Sequence, residues 1–259
     1  MRRWLRPRTG GAVRDGGFSL VELMVTMFIM GIVVAATVSL TIGFQRTNAS
    51  NTSRQEQIDT ARSAVEAISK TVRTAVKPYQ LTSGCAGCVE DAFLQGTDFS
   101  VQFYANLNNP GNSVGPSRVT YTLVTTGPTA GQIIETIQRP TSNVPSDVAG
   151  MPAYAYCNAT SGSASAECKA SLSTRPVAFG AIAATGAPVF KYYDATGLRI
   201  SPLVSGGSLN VPQLGSVLSI EIIVTVRSKN AVQAATTTYV QRVTLPNAQA
   251  VIREGEDAP

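Results

Sequence analysis

Histidine is absent from all 259 residues. Its absence removes the imidazole general base, the Ser-His-Asp and Cys-His nucleophilic arrangements, and every histidine metal ligand. Charge is scarce as well: Asp, Glu, Lys and Arg make up 14% of the chain, against ~25% in an average globular domain. Threonine, serine, alanine and valine abound instead, a composition that suits an extracytoplasmic β-rich domain better than a soluble helical enzyme. Nor is there a basic surface to speak of. The net charge of +5 is concentrated at the start, in Arg2, Arg3, Arg6, Arg8 and Arg14. Without residues 1–17, which also carry Asp15, 16 basic residues face 15 acidic ones. The electrostatic footprint of a nucleic-acid partner is therefore missing. No phosphate loop, no spaced carboxylate pair and no nucleophile constellation nominates a catalytic residue, a cofactor or a metal.

What the chain does have is one long apolar run. From Phe18 to Phe44 there are 27 residues with a single charge, Glu22. At ~1.5 Å per residue, a helix of that length exceeds the ~30 Å hydrocarbon thickness of a bilayer. The preceding arginines hold the N-terminus in the cytoplasm by the positive-inside bias, which sends the bulk of the chain across. A secretory signal peptide has a shorter apolar core followed by a small-residue cleavage site. A twin-arginine signal fits poorly, because Arg2-Arg3 stands at the very start and Pro7-Arg8-Thr9-Gly10-Gly11 follows. Glu22 is the misplaced residue. A carboxylate at the centre of a membrane helix costs on the order of 2.5–3.5 kcal/mol. Glu22 lies only four residues after Phe18, ~6 Å along the helix, where snorkelling lessens that cost. If the chain were cut between Gly17 and Phe18, the new ammonium would lie at a similar depth, and Glu22 of one subunit could neutralise Phe18 of a neighbour. Such pairing suits a helix that packs against copies or relatives of itself.

The string Gly17-Phe18-Ser19-Leu20-Val21-Glu22-Leu23-Met24, behind a basic leader and ahead of an apolar helix, resembles the type IV prepilin cleavage and methylation signal. The resemblance implies that a membrane-embedded aspartyl peptidase cuts after Gly17 and methylates Phe18, and that Glu22 guides the registration of subunits in a pilus or pseudopilus. The partners it implies are the prepilin peptidase, other minor and major pilins or pseudopilins, and an inner-membrane assembly platform. The expected location is a single pass through the cytoplasmic (inner) membrane, with the head at the cell surface or in the periplasm as part of a filament. The competing reading is an ordinary signal anchor in which the glycine and the glutamate are coincidental.

After Arg46 the apolar pattern narrows to one stripe. Ile58, Ala61, Val65, Ile68, Val72 and Ala75 recur at spacings of three and four, one face of a helix. Arg62–Glu66 and Glu66–Lys70 add i,i+4 pairs on the other side, and Pro78 is the expected stop, with the helix running to Lys77. The stripe suits packing on the head's own sheet better than a coiled-coil seam, which needs more heptads. Cys85-Ala86-Gly87-Cys88 follows in a loop. Cys-x-x-Cys reads as a zinc half-site, a redox pair or a structural disulfide. Zinc needs a second close pair, whereas Cys157 and Cys168 are eleven apart; a thioredoxin-like site needs a helix N-terminus after a strand. In an oxidising compartment the disulfide is the default. Proximity pairs Cys85 with Cys88 and Cys157 with Cys168, although four cysteines allow three connectivities.

Strand patterns then dominate. Phe99, Val101 and Phe103 alternate, as do Val119, Tyr121 and Leu123 beyond the Pro110-Gly111-Asn112 and Gly115-Pro116 turns, and Gln132 to Gln138 reads as a hairpin partner. Residues 140–188 have no clear period and are expected as a long loop. Val189 to Asp194, then Leu218 to Val226, then Thr236 to Leu245 through Lys229-Asn230, are further strands, with Ile223 breaking the outward polar face of the middle one.

The expected fold is α+β: a long N-terminal helix, half membrane and half amphipathic, packed on an antiparallel β-sheet head, which is the pilin layout. Its divisions are a leader at 1–17, an assembly helix at 18–45, an amphipathic half at 46–77, a head at 78–246 and a flexible tail at 247–259. Asp59 to Ile68, Val189 to Asp194 and Ser219-Ile220-Glu221-Ile222 resemble W-type minor pilins and J-type minor pseudopilins of type II secretion. That likeness implies a structural subunit, not an enzyme, that primes assembly or sits near the tip of a filament. The other classes weighed are a major pilin and a signal-anchored binding module. For the module, Glu90-Asp91 with Asp98 would be a calcium site, though the repeated ligand spacing is missing. Tyr192-Tyr193 would be a sugar-stacking face, though strand aromatics are more often core.

Overall fold

The computed structural model describes residues 17–81, 85, 87–88, 91–107, 109, 114–148, 151–183, 187–204, 206–228 and 235–245. Apart from Gly17, the expected leader lies outside these residues. So do the expected tail, Glu90, the Pro110-Gly111-Asn112 turn and the Lys229-Asn230 junction. The chain divides into two compact units, Met1–Ala49 and Ser50–Pro259.

Helix α1 runs Leu20–Val72. In the first unit every described residue is exposed, including Phe28, Ile32 and Phe44. In the second unit α1 buries Ser53, Gln57, Ala61, Ala64, Val65, Ile68, Ser69 and Val72. The buried face matches the apolar stripe except at its start, where Gln57 is buried and Ile58 is only half-buried. The helix ends five residues short of the expected Lys77. Pairing takes over from helical bonding: the Asn106 amide donates to the Thr74 carbonyl (2.9 Å), the Val76 amide donates to the Tyr104 carbonyl (3.0 Å), and Ala75 bridges Ala105. Pro78, expected to end the helix, instead opens a short 3₁₀ turn, Pro78–Gln80, a place where a missing N–H is harmless.

A five-stranded antiparallel sheet has the order β1 (Phe93–Gly96), β2 (Ser100–Ala105), β3 (Ser117–Val124), β4 (Gln132–Gln138) and β7 (Leu172–Phe179). A four-stranded antiparallel sheet has the order β11 (Thr237–Thr244), β10 (Ser219–Val226), β8 (Phe190–Tyr193) and β9 (Arg199–Ile200). The strands β5 (Ser146–Val148) and β6 (Met151–Ala153) form a separate hairpin. Short helices α2 (Ala166–Ala170) and α3 (Val211–Gly215) complete the described elements.

One core joins the three layers of the second unit. Ala61, Val65 and Ile68 of α1 cluster with Phe103, Val119, Tyr121 and Ile133 of the larger sheet and with Phe190, Tyr192, Ile220 and Val224 of the smaller one. Strand β10 is buried on both faces apart from Glu221, so Ile223 sits where its apolar side chain is covered. The chain leaving the larger sheet also pairs with the end of β10 in the smaller one. Gly180 (φ 68°) turns the chain out of β7, its carbonyl accepts the Arg227 amide, and Ala181 bridges Val226. A Cβ at Gly180 would meet the Arg227 carbonyl oxygen at 2.6 Å, so no other residue fits there unchanged.

The stretch 140–188 is not the loop its composition suggests. It contributes β5, β6, α2 and the eight-residue edge strand β7. The exposed, unalternating pattern of Ser173, Thr174, Arg175 and Pro176 hides β7, because an edge strand with water beside it needs no apolar stripe, and Pro176 is tolerated at an edge.

Candidate functional site

Gly17, Phe18 and Ser19 precede the helix in non-helical conformation. The first helical bond runs from the Leu23 amide to the Ser19 carbonyl (3.1 Å). Phe18 is 82% exposed. The Gly17-Phe18 bond is thus uncoiled and directly ahead of the helix, and glycine leaves its carbonyl unshielded by a side chain. Glu22 lies in the first turn, where the positive end of the helix dipole favours a carboxylate. It is exposed and has no hydrogen-bond or ion-pair partner among the described residues.

Past Glu22 the helix is suited to apolar surroundings. Its threonine hydroxyls turn back onto the helix: Thr26 to Leu23, Thr37 to Val33, Thr41 to Thr37 and Thr47 to Gly43, all at 2.8–3.0 Å. Each bond satisfies a hydroxyl that hydrocarbon would leave unpaired. A Cβ added at Gly31 or Gly43 would meet nothing within 4 Å, so the two glycines leave indentations on an open helical surface, where another helix can approach closely. Among the described residues, α1 is the one helix long and apolar enough to cross a membrane.

The four cysteines lie in the second unit. Cys85 bonds Cys88, and the pair packs with Tyr154 in a small satellite core flanked by Tyr79 and Tyr156. Cys157 bonds Cys168, tying the chain after β6 to α2. Among the described residues no group of three or more Cys, Asp or Glu converges as a metal site. Asp91 pairs with Lys77 at 3.1 Å. The Tyr192 ring is no sugar platform: it is buried, and its hydroxyl donates to the Thr97 and Ser100 carbonyls (2.9 and 3.2 Å). Tyr193 is covered by Arg242, whose guanidinium lies 3.7 Å from the ring centroid.

Two polar groups of the core have partners that the sequence does not reveal. Glu135 is buried on the inner face of β4, accepting from the Tyr121 hydroxyl and from Arg175 of β7. Burial pushes the Tyr121 phenol well above its ordinary range, with the bond to Glu135 adding to the shift. The Gln57 amide, oriented to satisfy both its ends, donates to the Ala235 carbonyl (2.9 Å) and to Thr237 Oγ1 (3.0 Å) and accepts from the Ser228 amide (3.1 Å). It joins α1 to the start of β11. Alternation marks Glu135 as inward-facing, but only the partner strand shows that Arg175 meets it.

Residues 13–38 match the family described as the prokaryotic N-terminal methylation motif. No curated protein matches the chain. The motif covers the Gly17-Phe18 bond, Glu22 and the start of the apolar helix, and an α+β head of pilin-like layout follows it. Together they support a type IV pilin-like subunit, a structural rather than an enzymatic class, which implies processing by a prepilin peptidase and assembly with other pilins.

Proposed function

We propose that the chain is a minor pilin or pseudopilin, a subunit that primes assembly of a type IV pilus or type II secretion pseudopilus or sits near its tip. In this reading the prepilin peptidase cuts between Gly17 and Phe18 and methylates Phe18. The helix then spans the cytoplasmic membrane once, on the assembly platform, with the head and its disulfides outside the cytoplasm. The observation that carries the reading is Glu22: a lone, exposed carboxylate in the first turn of α1, ahead of the apolar stretch to Phe44 and inside the methylation motif. Such a charge is tolerated in lipid when a neighbouring subunit supplies the cation, and the ammonium of a cleaved Phe18 is that cation. The likeness to W-type and J-type minor subunits supports the finer assignment, as does a head built from two sheets and a disulfide-tied excursion.

The test is the copy number of this chain in sheared filaments fractionated by length. A priming or tip subunit stays at a few copies per filament at every length. Copies rising in proportion to length would make the chain a major subunit. Absence from filaments that contain the other pilins would remove the assembly role.

A further inference from the structure

The outer face of the five-stranded sheet carries a groove of about 350 Å³, at the small end of the range for ligand sites. Its floor is polar across four strands. Gln102 of β2 stands opposite Thr120 of β3, Thr120 opposite Thr136 of β4, and Thr136 opposite Thr174 of β7. With strands ~4.8 Å apart the row is ~14 Å long. The Gln102 amide donates to Thr120 Oγ1 (2.8 Å), while the Thr136 and Thr174 hydroxyls have no partner among the described residues. The wall is the segment from Tyr156 to Thr160, held by the Cys157–Cys168 disulfide and by Gln138, whose amide donates to the Cys157 carbonyl (2.5 Å).

One cation flanks this floor, Arg118, two residues along β3 from Thr120. The Arg118 guanidinium lies 4.7 Å from the Tyr156 ring centroid and donates to Gln138 Oε1 (2.5 Å). The Tyr156 ring stacks on Tyr104, and its hydroxyl donates to the Pro116 carbonyl (2.5 Å). Arg118 is thereby held in one orientation with most of its five donors free, and no carboxylate pairs with it among the described residues.

We propose that this groove binds a short acidic oligosaccharide, with Arg118 taking the sugar carboxylate and the row Gln102, Thr120, Thr136 and Thr174 taking ring hydroxyls. A planar guanidinium matches a carboxylate bidentately, and a row of hydroxyls and amides matches a ligand that presents hydroxyls at every ring. A peptide would need a deeper apolar anchor than Leu172 and the Tyr156 ring provide in a groove lined mostly by polar side chains, and a nucleotide would need more than one cation. The groove lies wholly in the second unit, so the proposal stands apart from the assembly reading.

The experiment is calorimetric titration of the full chain in detergent micelles with tetragalacturonate, with uncharged maltotetraose and with acetate. The expected result is saturable binding of tetragalacturonate, with maltotetraose and acetate each weaker by roughly tenfold or more. R118Q lowers the affinity for tetragalacturonate by roughly tenfold or more, and T136V with T174V, which keep β-branched shape on the sheet, lower it roughly two- to tenfold. Thermal unfolding of each variant shows that the head is intact. Absence of saturable binding, equal binding of the charged and uncharged oligosaccharides, equal binding of acetate, or unchanged affinity in folded T136V/T174V would each overturn the proposal.

Discussion

The two units use the same aliphatic residues to opposite ends. In residues 17–49, Ile29, Ile32, Val33 and Leu40 are about half exposed or more. From Ser50 onward, Val65, Ile68, Ile220 and Val224 are completely buried. Side-chain chemistry does not separate the two sets; pattern does. An apolar run on every face of a helix cannot be buried by its own chain and needs lipid or other helices. A stripe at spacings of three and four needs only one covering surface, and two sheets provide it. The polar residues follow the same division. Threonines in the first unit turn back on their own helix, whereas Gln57, Tyr121 and Glu135 in the second find partners on other strands.

The sharpest way to break the comparison is to delete matched side chains. Ile220→Ala removes a completely buried side chain and should lower the unfolding free energy of the head by about 2–5 kcal/mol. Ile32→Ala, at an exposed position, should leave it within about 0.5 kcal/mol. Denaturant unfolding of the full chain in micelles, followed by near-ultraviolet circular dichroism, reads both, and equal losses would erase the distinction. The converse probe is Val33→Asp. A carboxylate deep in the apolar run costs about 2.5–3.5 kcal/mol of insertion and should raise the fraction extracted from membranes by alkaline carbonate while leaving head unfolding unchanged.

Smaller effects sharpen the picture inside the head. Removing the Cys157–Cys168 bond as the double serine variant frees a loop of eleven residues' separation and should lower stability by about 2–3 kcal/mol by the loop-entropy argument. The smallest predicted effect is pH-dependent. Burial would raise the Glu221 carboxyl, but the hydrogen bond and charge of Lys191 (2.7 Å), with Tyr193 and Arg242, hold it below its ordinary value. A carboxyl lowered on folding adds stability that is fully present above the unfolded value of ~4.3 and disappears as pH falls through the folded one. Glu221→Gln should therefore flatten the acid limb of the stability curve below about pH 4.3 and change little at neutral pH. An unchanged acid limb would show that the Lys191 pair contributes nothing.

Much of this division is legible in the sequence. The stripe on α1 and the alternating strands β2, β3, β4, β8 and β11 stand in the sequence because each has a period set by one buried face, and the apolar run and β10 because apolar residues dominate them. Most of the strands that are not legible lack such a face. Strand β7 is an exposed edge, β9 is two residues long, and β5 and β6 pair only with each other. The helix end is not legible, because Pro78 is a visible stop while pairing with β2 is not. The groove on the outer sheet face escaped because Gln102, Thr120, Thr136 and Thr174 are ordinary polar residues until strand register aligns them. The methylation motif is the most legible of all, since glycine, phenylalanine, glutamate and helix lie adjacent in the chain.

The central claim is that the Gly17-Phe18 bond is where this chain becomes a filament subunit. The intact mass of the protein from cells with and without an active prepilin peptidase tests it directly. The account predicts a chain beginning at Phe18 and carrying one added methyl group when the peptidase is present, and the full-length chain when it is absent. A full-length, unmethylated chain in cells with an active peptidase would contradict it and leave an ordinary signal-anchored protein.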